Sequence, residues 1–151
     1  MTPTIRIQRE DVSAADEIAA LAAGRTDVGA VVTFTGLCRD EGGRLAALEL
    51  EHYPGMAQEE AERVVEEARA RWPLSGVRVI HRYGKILPGQ NIVLVVTASS
   101  HRDAAFAAAS FLMDYLKTRA PFWKREHLKD GTTGAWVEAK AEDDAAAERW
   151  R

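Results

Sequence analysis

Apolar Leu48 and Leu50, followed by His52, alternate with Glu49, Glu51 and Tyr53, the period of a strand with one face in water. Directly afterwards the period lengthens. Over residues 56–72, Ala57, Ala61, Val64, Ala68 and Trp72 recur at helical spacing between acids and arginines, and Pro73 stops the run. This predicts an amphipathic helix. A shorter helix is expected over 14–23, with Ile18, Leu21 and Ala22 on one side, Ser13 at its start and Gly24 where a helix end favours glycine. A third follows 99–103, with Phe106, Ala109, Met113 and Leu116 as its inner stripe, and ends before Pro121 because a residue preceding proline avoids the helical region.

Between these lie β-branched runs. Residues 29–36, bounded by glycines, read as a buried strand that leaves into a polar loop at 37–43. Residues 77–83 and 91–98 read as strands joined by 84–90, whose Pro88-Gly89 step is a turn signal. Short returning strands are expected at 122–127 and 135–139, and a last helical turn or tail at 142–150. Strands and helices mix without strict alternation, and several strand pairs are sequence neighbours. The expectation is a single α+β domain over 1–151, its mixed or antiparallel sheet flanked by helices.

Composition narrows the class. At 151 residues and 46% hydrophobic, the chain is long enough for one self-sufficient core. The N-terminus lacks the basic start and apolar run of a secretory signal, and no apolar stretch nears a bilayer span, so a cytoplasmic protein without membrane attachment is expected. One cysteine, Cys38, excludes an internal disulfide. His52, His81, His101 and His127 are scattered without metal-ligand spacing, so neither a metal nor a cofactor is expected, and these histidines read as packed or surface groups.

Charge then isolates one segment. The net charge is −3, yet residues 115–129 carry Lys117, Arg119, Lys124, Arg125 and Lys129 against Glu126 alone, a local +4. Cations gathered around a proline break, beside Phe122 and Trp123, point to a small or locally docked anion, not to a long polyanion or duplex nucleic acid. Ser99, Ser100, His101 and Arg102 open a helix, where N–H groups can receive a phosphate or a serine can simply cap. Cys38 beside Arg39 is either a small apolar filler or an activated thiol. On residues alone the cluster also fits a non-catalytic binder of nucleotides or phosphorylated metabolites. A single-strand RNA binder using Phe122 and Trp123 is a further reading, which the acidic remainder opposes.

Five segments in order, GAVVTFTG at 29–36 with Arg39, LELEHYPGM at 48–56, HRYGKILPG at 81–89, SSHR at 99–102 and MDYLKTRAPFWKRE at 113–126, resemble the large, catalytic subunit of molybdopterin synthase, the MoaE family. The likeness runs from about residue 28 to residue 139. It implies an α/β hammerhead fold and a homodimer that becomes a heterotetramer with two small ubiquitin-like sulfur carriers. It also implies the reaction, in which the carriers' C-terminal Gly-Gly thiocarboxylates give two sulfurs to cyclic pyranopterin monophosphate and form the molybdopterin dithiolene. By the same resemblance, Lys117 and Lys124 are the catalytic lysines. Leu37, Cys38, Arg39, His101, Arg102, Arg125 and Glu126 join them in substrate binding. Two departures stand out: Leu37, where some relatives carry lysine, and Lys140, where some carry arginine and a two-point anion contact would become a single-point one.

Overall fold

The computed structural model describes residues 1–119, 122–138, 148 and 150. Along the chain come β1 (Thr4–Gln8), α1 (Ala14–Ala22), β2 (Ala30–Leu37), β3 (Leu45–His52), α2 (Met56–Arg71), β4 (Gly76–Arg82), β5 (Gly84–Ile86), β6 (Asn91–Ser99), α3 (Arg102–Arg119) and β7 (Phe122–Leu128). They form a four-stranded sheet in the order β1-β4-β6-β2 and a three-stranded sheet in the order β5-β3-β7. β1 runs parallel to β4 and every other pairing is antiparallel, so the larger sheet is mixed. The α+β expectation holds.

Each helix forms for a local reason. Ser13 caps α1 by accepting the Asp16 N–H at 3.2 Å. α2 buries Ala57, Ala61, Val64, Val65 and Ala68, the stripe its periodicity predicts. The first half of α3 is built on small buried residues, Ala104, Ala105, Ala108 and Ala109, which let it settle close to the sheet. There Thr97 Oγ1 donates to the Ala105 carbonyl at 2.7 Å. Gly29 makes the close approach possible at the start of β2: a Cβ there would lie 2.1 Å from the Ser100 carbonyl oxygen.

Alternation divides the larger sheet. Val77, Val79, Val93 and Val95 pack with Phe111, Leu112 and Leu116 of α3 and with α2, whereas Ile80, Leu94 and Val96 meet Leu21 of α1 on the other side. A third cluster, Cys38, Leu45, Leu50 and Ile86, joins the smaller sheet to the end of β2. Among the described residues no helix is long and apolar enough to cross a membrane.

The structure corrects several expectations. β1 and β5 are strands where none was expected; β5 sits inside the anticipated 84–90 turn and hands the chain from the larger sheet to the smaller. Phe106 is not on the inner stripe of α3 but 62% exposed, because the helix points its Phe111 side at the core. The polar loop begins after Cys38, which is buried with its N–H on the Gln90 carbonyl at 2.9 Å. Of the strand expected at 135–139, the described residues hold one isolated bridge, Val137 with Lys124; a second, Thr133 with His127, lies just before it. Pro121, Ala139, Lys140 and most of 142–150 lie outside the described residues; Trp150 is described, edge-on to Trp72 and Phe111.

Candidate active site

Where α3 ends, the two sheets part and leave a cavity of about 260 Å³. Its floor is one row across three strands. His81 pairs with Val93, and Val93 pairs with Gly36, so the Val77–Val79 alternation of β4 carries one step further and turns His81 into the opening. Gly36 keeps this row low, since a Cβ there would come 2.9 Å from Val93 Cγ1. Phe34, Leu48, Leu50 and Phe122 give apolar walls, and Lys117 from the last turn of α3 meets Lys124 from β7. Segment 133–138 closes one side: Lys124 and Val137 exchange backbone hydrogen bonds at 2.9 and 2.7 Å, and Trp123 Nε1 donates to Glu138 Oε1 at 2.8 Å.

Two histidines flank this wall. The His81 ring stacks on Phe122 with centroids 3.9 Å apart and planes 18° apart, while its Nδ1 meets the Arg82 carbonyl at 2.9 Å. Burial, with His52 and Lys117 nearby, pushes His81 down to about 4 against the opposing pull of that carbonyl, so the ring is neutral near pH 7. His52 lies beside Phe122 and Tyr83, and its sealed Nδ1 makes no hydrogen bond, with Glu51 Oε1 3.6 Å away.

The residues singled out in the sequence divide by position. Lys117, Lys124 and Leu37 line the cavity, as do the aromatic candidates Phe34, Phe122 and Trp123. Cys38 is buried behind it, its Sγ 3.8 Å from the Ile86 carbonyl, and burial pushes the thiol up. Arg39, two residues beyond Leu37, is exposed with Glu41 at 3.6 Å. Glu126 holds Arg44 at 3.4 Å. Arg125 points to the opposite face of its sheet, where its Nε donates to Glu49 at 2.9 Å and its guanidinium covers Trp136 at 4.5 Å. His101 and Arg102 are exposed at the far end of α3. Sequence reasoning missed the floor, His81, Val93 and Gly36. The signal available was the Val77, Val79, His81 alternation.

This arrangement offers two ammonium groups, a flat aromatic wall and a neutral imidazole, suited to an anionic, partly aromatic ligand. Comparison with known proteins identifies the family. The family model described as "MoaE protein" matches residues 7–119. A molybdopterin synthase catalytic subunit of Mesorhizobium japonicum is 68% identical over 151 residues, covering all of this chain and 95% of that protein. The solved structure of a molybdopterin biosynthesis MoaE protein from Burkholderia ambifaria MC40-6 superposes with a TM-score of 0.85 at 48% identity, covering 99% of this chain and 98% of that one. At 21% identity, a protein–protein complex of subunits 1 and 2 of the molybdopterin-converting factor from Helicobacter pylori 26695 shares the fold, with a TM-score of 0.73 over 91% of this chain and 90% of that one. With the family model spanning most of its length and a relative this similar across all of it, the chain belongs to the MoaE family.

Proposed function

We propose that the chain works in the cytoplasm, as one domain over 1–151, as the catalytic subunit of molybdopterin synthase. It is a sulfurtransferase of molybdenum cofactor biosynthesis. Two sulfurs, one from the thiocarboxylated C-terminus of each of two small ubiquitin-like carriers, pass to cyclic pyranopterin monophosphate and form the dithiolene of molybdopterin. The observation that carries this reading is the meeting of Lys117 and Lys124 in one cavity beside Phe34, Phe122 and Trp123. Both reactants are anionic at the reacting ends, and two ammonium groups in a partly dry cavity compensate that charge. A Gly-Gly tail has no side chains to obstruct entry. We assign Lys117 to the thiocarboxylate, where it stabilises the intermediate or moves a proton, and Lys124 with Arg39 to the phosphate side. Cys38 carries no sulfur in this scheme.

The site is proposed to be completed by a second copy. Arg102 and Lys117 lie on one helix, fifteen residues apart. That is about 22 Å along the axis at 1.5 Å per residue, beyond the reach of one side chain. For His101 and Arg102 to bind the same substrate as Lys117, they come from the other large subunit. With one carrier on each, the assembly is a heterotetramer.

The test is turnover. Purified chain, thiocarboxylated carrier and cyclic pyranopterin monophosphate should yield the dithiolene, and carrier lacking its last two glycines should not. Turnover unaffected by that deletion would remove the insertion scheme.

A further inference from the structure

We infer that His81 is a ligand-contacting residue of this cavity, its Nε2 lone pair holding an N–H donor of the bound reactants. A carbonyl oxygen only accepts, so the 2.9 Å contact between Nδ1 and the Arg82 carbonyl places the proton on Nδ1. The neutral ring then presents a bare Nε2. Its direction is fixed, because the face of the ring is stacked on Phe122 at 3.9 Å and its Nδ1 edge is tied to the backbone. Among the described residues Nε2 has no hydrogen-bond partner, the one sealed, unpaired side-chain nitrogen or oxygen there is His52 Nδ1, and His81 keeps partial exposure. His81 therefore opens on the cavity it lines.

The surrounding groups explain what such an acceptor is for. From α3 and β7 come Lys117 and Lys124, which only donate; Glu138 is engaged by Trp123; His52 is near the ring from β3, and Arg82 ends its own strand with Tyr83 just beyond. The lysines compensate anionic groups but cannot receive a donor. A neutral acceptor set among cations distinguishes a ligand that combines negative charge with N–H groups from a simple anion. On the sulfur-transfer reading, on which this inference rests, two reactants carry such a donor: the pterin ring and the backbone amide of the carrier's last glycine. The chemistry is shared, and the two sources separate experimentally.

Nitrogen-15 spectra of the histidine rings in the ligand-free wild-type dimer should show His81 protonated on Nδ1 alone at pH 7 and still neutral at pH 5. An Nε2-protonated ring or an imidazolium at pH 7 overturns the inference. Binding provides the second arm. His81→Asn keeps an amide donor for the Arg82 carbonyl and lacks the Nε2 acceptor, whereas His81→Gln sets an amide oxygen near the Nε2 position. The Asn variant should lose about tenfold in affinity and the Gln variant should recover to within about threefold of wild type, the scale of one hydrogen bond to an otherwise unpaired group. A loss confined to cyclic pyranopterin monophosphate assigns the donor to the pterin, and one confined to the carrier assigns it to the tail. Wild-type affinity for both in a folded Asn variant overturns the inference. The spectra need no ligand, so they judge His81 separately from the sulfur-transfer reading, which wild-type turnover judges.

Discussion

Arg125 Nε donates to Glu49 Oε1 at 2.9 Å on the face of the three-stranded sheet opposite Lys124. Sequence neighbours in β7 thus serve different ends, since a strand sends successive side chains to opposite faces. His127 Nε2 reaches the same Glu49 oxygen at 2.8 Å, and His127 first, then Arg125, hold its carboxyl below the usual glutamate value of 4.5. A lowered carboxyl stabilises the fold fully above that value, and the contribution disappears as pH falls through the lowered one. Glu49→Gln should therefore cost about 1 kcal/mol at pH 7. Urea midpoints should show the gap closing below about pH 4. A gap unchanged from pH 7 to pH 3 would mean that the charge of Glu49 is immaterial.

Cys38 is 4% exposed, and burial disfavours its thiolate, with Glu41 adding to the effect. Cys38→Ala should keep activity within about tenfold of wild type, or roughly 1.4 kcal/mol of barrier. The native thiol should resist a water-soluble disulfide reagent until the chain is unfolded. A larger loss in a folded variant would return Cys38 to the chemistry.

Elements held by local pattern were legible in the sequence: the Ser13 cap, the α2 stripe and the alternation of β3 can be read within a few turns or pleats. β1 was not, because its five residues gain a partner only by parallel pairing with β4, some seventy positions away. The site was legible in its lysines but not in its floor. Val77, Val79 and His81 share a face, yet β4 is buried on both sides, and a strand of that kind does not reveal which face borders a cavity. Nor could spacing alone set Lys124 against Arg125 until the pairing of Leu50 with Lys124 fixed the phase.

The misplaced Phe106 gives a direct test of that boundary. Phe111 is fully buried among Trp72, Tyr115 and Trp150, whereas Phe106 is 62% exposed. Phe111→Ala should cost about 3–5 kcal/mol. Phe106→Ser should stay within about 0.5 kcal/mol unless a partner covers it. Thermal melts of the two variants decide it, and similar losses would contradict the orientation of α3.

Gly36 offers a way to fill the cavity from its floor. A valine there would press on Val93 Cγ1, 2.9 Å from the new Cβ, and on Phe34 Cε1 at 3.4 Å. Gly36→Val should destabilise by about 1–3 kcal/mol. It should also weaken binding of cyclic pyranopterin monophosphate at least about tenfold, measured by calorimetry. Normal binding in the folded variant would show that the ligand does not use this floor.

The proposed sharing of sites between two chains makes its own prediction. Lys117→Ala should lower turnover about a hundredfold to a thousandfold, as loss of a preorganised charge-stabilising donor does, while the carrier still binds. Arg102→Ala should weaken precursor binding. If each site draws Lys117 from one chain and Arg102 from the other, a mixed dimer of the two variants contains one doubly damaged site and one intact site. Random exchange puts about half of the chains' dimers in the mixed form, so turnover should return to about a quarter of the wild-type level. Co-refolding the two variants at equal concentration and assaying at limiting precursor measures this directly. If Lys117 and Arg102 served one site within a single chain, every site in every dimer would carry one lesion and mixing would restore nothing. Recovery on mixing thus reports that the second cation cluster comes from the other chain, and its absence, with each variant impaired alone, would overturn the shared site.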